Sequence, residues 1–245
     1  MSRFDYGITF NGKHTYDDLG LILLSKTIEY PARSPVLVKP PYSNVPIDLS
    51  NLYGHTVFED RAYKAEFYLK GATPYTKEEL AAKYTSVVAW LEGSMGRQPL
   101  IDDTEPGYYY IGEPVKAPDR NELLRTGHLT IEWTCNPYRV AVSPEGGDRW
   151  NSFAFETDVA QQTEFAVDGD LAFMLVNISS ELLQPTITTD ADMVLLDQAG
   201  NQLDLVAGTT TPLNQAYPLT LKTGVNYLAV TGTGNISFEW YKEVI

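Results

Sequence analysis

A run of carboxylates, Asp102-Asp103-Thr104-Glu105, is where this 245-residue sequence comes nearest to a constellation that could do chemistry. Three acidic groups within four residues could ligate calcium, or supply the acid and base of a glycosidase. The same run leads into Pro106-Gly107, and aspartates ahead of such a turn ordinarily bond their own backbone, so a loop is the simpler expectation. Cys135 could act as a nucleophile only with a base in reach. His128, seven residues away, is the candidate base, but a small buried apolar role for the thiol is simpler. His14 and His55 stand singly in turn-like contexts and receive no role. Asp168 and Asp170 flank Gly169 in what reads as a hairpin tip. There is no Gly-x-Ser-x-Gly elbow, no phosphate-cradling Gly-x-x-x-x-Gly-Lys loop, no His-Glu-x-x-His and no cysteine pair. The expectation is a protein without catalytic residues, metal or cofactor.

Aromatic residues offer a second chemistry. Trp90, Trp133 and Trp240 lie in element interiors and are expected in the core, while Trp150 is placed for packing between domains. Tyr217, Tyr227 and Tyr241 leave open a carbohydrate-binding module that stacks sugar on exposed rings. Asn177-Ile178-Ser179 and Asn235-Ile236-Ser237 match the glycosylation pattern. The N-terminal residues carry no apolar stretch of the secretory kind, so these matches support no inference.

The elements that would position these groups are mostly strands. Tyr6 to Phe10 alternates and stops at Asn11-Gly12, the dipeptide of a tight hairpin turn. Short strands are expected over Leu21–Leu24, Thr56–Glu59, Ala65–Leu69, Gln98–Ile101, Gly107–Gly112 and Leu129–Cys135. One helix stands out at about 77–92. Thr76-Lys77-Glu78-Glu79 forms a capping box, and Leu80, Tyr84, Val87, Val88 and Leu91 fall on one face. Gly93 is placed to end it in the left-handed conformation. Beyond residue 150, apolar runs such as Phe153–Phe155, Leu171–Val176, Met193–Leu196, Tyr227–Val230 and Ile236–Trp240 alternate with turn signals. Those signals include Ala199-Gly200-Asn201 and Gly232-Thr233-Gly234-Asn235, and the pattern is that of a β-sandwich or jelly roll.

Residues 30–54 break the pattern. Pro31, Pro35, Pro40, Pro41 and Pro46 exclude a central strand, because proline cannot donate into a sheet ladder. The stretch reads as an arm leaving its domain. Its apolar members, Val36, Leu37, Val38, Tyr42, Val45, Ile47, Leu49 and Tyr53, would need another surface to cover them, and they are the candidate subunit-interface residues.

Charge divides the chain. Residues 1–140 carry 15 basic and 18 acidic groups, whereas residues 141–245 carry 3 basic and 14 acidic, within a total of −14. Near Ser143-Pro144-Glu145-Gly146-Gly147-Asp148 this places a domain 1–142, a linker 143–148 and a domain 149–245. So acidic a chain is not expected to grip nucleic acid or an anionic bilayer. No apolar run approaches a membrane span. The single cysteine can form no internal bridge. The fold class is mainly β: an N-terminal barrel- or sandwich-like domain with one α-helix and an extended arm, then a β-sandwich. Two β-rich domains, an uncovered arm and no catalytic signature describe an assembly subunit better than an enzyme.

In order along the chain, these segments resemble the distal tail protein family of long-tailed, non-contractile phages. The likeness runs through Phe10-Asn11-Gly12-Lys13-His14, Asp17-Asp18-Leu19-Gly20-Leu21-Ile22, the arm closed by Asp48-Leu49-Ser50, and Phe58-Glu59-Asp60-Arg61. It continues with Trp90-Leu91-Glu92-Gly93, Leu100-Ile101-Asp102-Asp103-Thr104-Glu105-Pro106-Gly107-Tyr108-Tyr109-Tyr110 and Trp133-Thr134-Cys135-Asn136-Pro137-Tyr138. A weaker match, Leu221-Lys222-Thr223-Gly224-Val225-Asn226 before Val230-Thr231-Gly232, is similar to the family's galectin-like second domain. The arm lacks the glycine-containing turn expected near 44–49. The resemblance implies a virion protein of the tail tip, made in the host cytoplasm. It implies a homo-hexameric ring of first domains with second domains projecting outward. The ring would link the tail tube and terminal tail proteins to the tail-associated hub protein and, in some phages, to receptor-binding proteins.

Overall fold

Strict alternation builds the first sheet. In the computed structural model, which describes residues 6–50, 56–69, 75–120, 123–124, 127–146, 159–214 and 218–245, the chain divides into two compact units. One reaches to Val140 and includes Ile245; the other is Ala141–Val244. The first contains β1 (Ile8–Phe10), β2 (Lys13–His14), β3 (Leu21–Ile28), β4 (Leu37–Val38), β5 (Ile47–Asp48) and β6 (Arg61–Leu69). Then follow α1 (Lys77–Glu92), β7 (Gln98–Asp102), β8 (Tyr108–Pro114) and β9 (His128–Ala141). The main sheet runs β2-β1-β7-β8-β9-β6-β3, and β4 pairs only with β5. Every second residue of β6 points inward, so Tyr63, Ala65 and Phe67 lie opposite Trp133, Ile131 and Leu129 of β9. Burying each large side chain contributes roughly 1.5–3 kcal/mol. Asn11 and Gly12 take positive φ, 45° and 70°, which closes the β1–β2 hairpin as expected.

The helix forms where its capping box starts it. Thr76 Oγ1 accepts from Glu79 N at 3.2 Å, and Thr76 N donates to Glu79 Oε2 at 2.8 Å. Its inward face is Leu80, Val87, Trp90 and Leu91, with Val88 and Tyr84 half-buried. Trp90 joins the sheet core edge-on to Phe10 at 5.9 Å and donates its indole N–H to Phe10 O. The ending differs from expectation. Gly93 stays right-handed (φ −71°, ψ −8°) and donates to Ala89 O, so it completes the last turn. Ser94 then bonds Leu91 O, and Gly96 at φ +65° supplies the left-handed residue.

Most of the second unit is one sheet curled on itself. It holds β10 (Glu164–Asn177), β11 (Thr186–Thr189), β12 (Met193–Leu196), β13 (Gln202–Leu205), β14 (Gly208–Thr210), β15 (Gly224–Glu239) and β16 (Glu243–Val244). The order is β13-β12-β15-β11-β14, with β10 also paired to β15. Two sequence expectations fail here. Asp168-Gly169-Asp170 is no hairpin tip and Gly232–Asn235 is no turn, because both lie inside the continuous β10–β15 ladder, with Gly169 opposite Gly232. The glycines serve a bend. β15 pairs with β12 through Gly232 and with β11 from Ile236, and a side chain on Gly234 (φ +141°) would strike Asp190 Oδ1 at 2.1 Å. Removing side chains from the inward face there lets both ends of the ribbon share one core, from Val167 and Leu175 to Ile236 and Phe238. Ala199-Gly200-Asn201 is a turn, held by Asp197 Oδ1 accepting from Ala199 N and Asn201 N at 2.8 Å each. The expected linker, 143–148, is described as far as Gly146, where Glu145 N donates to Trp240 O at 2.9 Å. Trp150 and the Phe153–Phe155 run lie outside the described residues.

Candidate functional site

The carboxylate run is assembled at the end of β7, and each of its acids already has partners. Asp102 is 1% exposed. It accepts from Tyr63 OH at 2.6 Å, from Thr104 N and Oγ1 at 2.9 and 2.8 Å, and from Lys26 Nζ. Burial disfavours its charge, but the hydrogen bonds from Lys26, Tyr63 and Thr104 outweigh burial and hold the carboxyl below its ordinary range. Tyr63, buried and facing that charge, is pushed well above an ordinary phenol. Asp103 turns the other way, taking Gly7 N at 2.9 Å and meeting His14 Nε2 at 3.0 Å. Glu105 accepts from Tyr110 OH at 2.9 Å and Arg139 Nη1 at 3.1 Å. The run thus fastens the end of β7 to β2, β3, β6, β8 and β9. No cluster suited to a metal is present among the described residues.

Cys135 is fully buried, and burial pushes its thiol up to about 12. His128 does not reach it. They stand seven strand positions apart, about 23 Å of extended chain, and His128 Nδ1 instead lies 3.4 Å from Glu66 Oε1. Trp90, Trp133 and Trp240 are all at most 3% exposed and belong to the two cores. Tyr227 is exposed, and the Tyr241 hydroxyl donates to Glu239 Oε1. A shallow groove of about 470 Å³ beside β11 is lined by Glu164, Thr188, Asp190, Asn235 and Ser237 among others, and its one aromatic is Phe165. Phe165 packs on Phe173 at 4.3 Å, and Asp190 is bonded to Asn235. Tyr53, His55 and Tyr217 lie outside the described residues.

The arm is built in the opposite way. Its root is pinned by Ser34 N to Val57 O and Glu59 N to Ala32 O. β4 and β5 then pair Leu37 with Asp48 and Val38 with Ile47. Leu49 N donates to Val36 O, and Val36 N to Ser50 Oγ. Neighbouring strand residues face opposite sides, yet Leu37 and Val38 are both about half exposed, so both sides of the hairpin are uncovered. Val36, Val45 and Ile47 are exposed as well, Tyr42 wholly so, and Leu49 is half-buried. A two-stranded ribbon of two residues each is marginal in water without a third surface. Sequence reasoning found these apolar residues through the prolines but missed the turn at Pro40–Ser43, where Ser43 N donates to Pro40 O.

No protein-family model and no curated protein matches this sequence. Among solved structures, the crystal structure of the SPP1 Dit (gp 19.1) protein, a paradigm of the hub adsorption apparatus in phages infecting Gram-positive hosts, has a similar fold. It aligns over 98% of this chain and 99% of its own, with TM-score 0.61 and 11% identity. Phage p2 baseplate structures in the activated conformation, with strontium and with calcium, align over 97% and 98% of this chain and 97% of theirs. Both have TM-score 0.38 and 10% identity. The architecture is therefore the mainly β, Dit-like one, with a single long helix among the described residues.

Proposed function

We propose that this chain is a structural virion protein, a ring-forming adaptor at the distal end of a phage tail. In this reading it joins the tail tube and terminal tail proteins to the tail-tip hub protein and adhesion device. The observation that carries it is the Dit-like fold across the whole chain together with an apolar arm that its own unit leaves uncovered. A subunit that exposes such a hairpin in every copy can bury it on the next copy, and a head-to-tail contact repeated by rotation closes a ring. That each acid of the run already bonds a neighbouring segment supports a scaffold over a hydrolase. Light scattering and negative-stain imaging of the purified chain test the reading. The expected result is a sixfold ring or a stack of rings; a monomer at micromolar concentration in low salt overturns it.

A carbohydrate-binding role for the second unit has one observation in its favour, the exposed Tyr227 ring beside Met174. A glycan array probed with the full chain decides it, with no glycan retained above background as the expected result.

A further inference from the structure

Among the described non-glycine residues only Asn11 and Tyr42 adopt positive φ. Asn11 is explained locally. Asparagine tolerates the left-handed region, the Asn-Gly hairpin demands it, and the side chain donates to Trp90 O at 2.9 Å. Tyr42 has no such account. Pro41 fixes φ near −65°, Tyr42 follows at φ +63°, and Ser43 N closes onto Pro40 O, which defines a type II turn. Its third position calls for glycine or asparagine. Here it carries a large aromatic whose side chain lies entirely in solvent. Strain of this kind persists only where the surrounding chain imposes it, and it clusters at functional contacts.

We propose that Tyr42 is the anchor by which the arm seizes a second copy of this chain, held in position before contact by the Pro40-Pro41 turn. The inference rests on the ring reading and names the residue that carries the contact. Tyrosine brings large area at low rotamer cost and is enriched where interface energy concentrates, and a proline-fixed turn lowers the ordering cost of binding. A second copy is the occupant because of charge. Residues 30–50 hold Arg33 and Lys39 against Asp48, a net of +1, whereas the rest of residues 1–140 carries −4, so a weakly basic apolar finger meets an acidic body on the next copy.

The test uses the full chain in a dilution series followed by light scattering, with circular dichroism and thermal melting as folding controls. Tyr42→Phe keeps the ring and assembles at wild-type concentration. Tyr42→Ala removes the ring and keeps the strained turn, whereas Tyr42→Gly removes the ring and gives the turn the residue it prefers. Both are expected to need at least tenfold more protein to assemble, with melting at a concentration where neither is assembled matching that of the monomeric variant that lacks residues 35–50. If Tyr42→Gly assembles as readily as wild type, Tyr42 is no anchor. Deletion of residues 35–50 separates the two failures. An intact ring after deletion overturns the arm contact itself, and a ring lost on deletion but kept by Tyr42→Gly overturns the anchor alone.

Discussion

The turn at residues 102–105 and the arm at 33–50 belong to one unit, and the unit treats them in opposite ways. The turn concentrates charge, and its acids are met by donors from four strands, β3, β6, β8 and β9. The arm concentrates apolar surface, and its own unit leaves most of that surface in water. The comparison teaches where an assembly contact is to be sought: at the groups whose ordinary physical needs the chain does not meet by itself.

The largest expected effect falls on the arm. Leu37→Asp with Ile47→Asp places two charges where a partner would bury apolar groups, so assembly should be lost in full at micromolar protein. The melting midpoint of the resulting monomer should match that of a monomeric deletion variant, read by light scattering and calorimetry. Loss of folding instead would show that the arm serves its own unit, and the contrast with the turn would collapse.

Next comes Asp102→Asn. It leaves the Lys26 ammonium with only the more distant Glu105 carboxylate, 3.9 Å away, in a site that is 1% exposed on the Asp102 side. Breaking such a pair is costly, and with Lys26 partly solvated the loss should be about 2–3 kcal/mol. At roughly 2–4 °C per kcal/mol for a domain of this size, the melting midpoint falls measurably. Rings formed at low temperature should keep their size. Tyr63→Phe is milder. Asp102 keeps its Thr104 and Lys26 donors and loses one hydrogen bond, for about 1 kcal/mol.

Much of this was legible from residue order alone, and the parts that were not share one cause. The capping box, the Asn11-Gly12 hairpin, the alternating strands and the proline-broken arm are local signals, each set by residues within a few positions of one another. The reading of Asp168-Gly169-Asp170 and Gly232–Asn235 as turns failed because glycine marks both a chain reversal and a bend in a long strand. Only the partner strand tells them apart, and here Gly169 faces Gly232 across the ladder. Gly93 failed likewise: its right-handed ending depends on Ser94 and Gly96 beyond it. The carboxylate run was seen, but the donors that close it, Lys26, Tyr63 and Arg139, come from 34 to 76 positions away. No local pattern announces them.

The smallest effect expected is a null one, and it sharpens the contrast most finely. Asp102 is held below its ordinary range when folded, while an unfolded aspartate titrates near 3.9, so its stabilising contribution is complete above about pH 4. That contribution is lost only as pH falls through the lower folded value. The arm's one acid, Asp48, is likewise held low, first by the Ser50 hydroxyl and then by its backbone N–H. Residues 30–50 contain no histidine. Asp102 and Asp48 both stay ionised between pH 7.5 and 5.5, so neither assembly nor melting midpoint should respond there through these two acids. Melting followed by light scattering at each pH checks this. Dissociation near pH 6 with the melting midpoint intact would place a histidine in the subunit contact, since histidine is the side chain that ordinarily changes charge in that interval. The contact would then reach beyond the apolar arm to His14, His55 or His128, and the division into a closed polar turn and an open apolar arm would have to be redrawn.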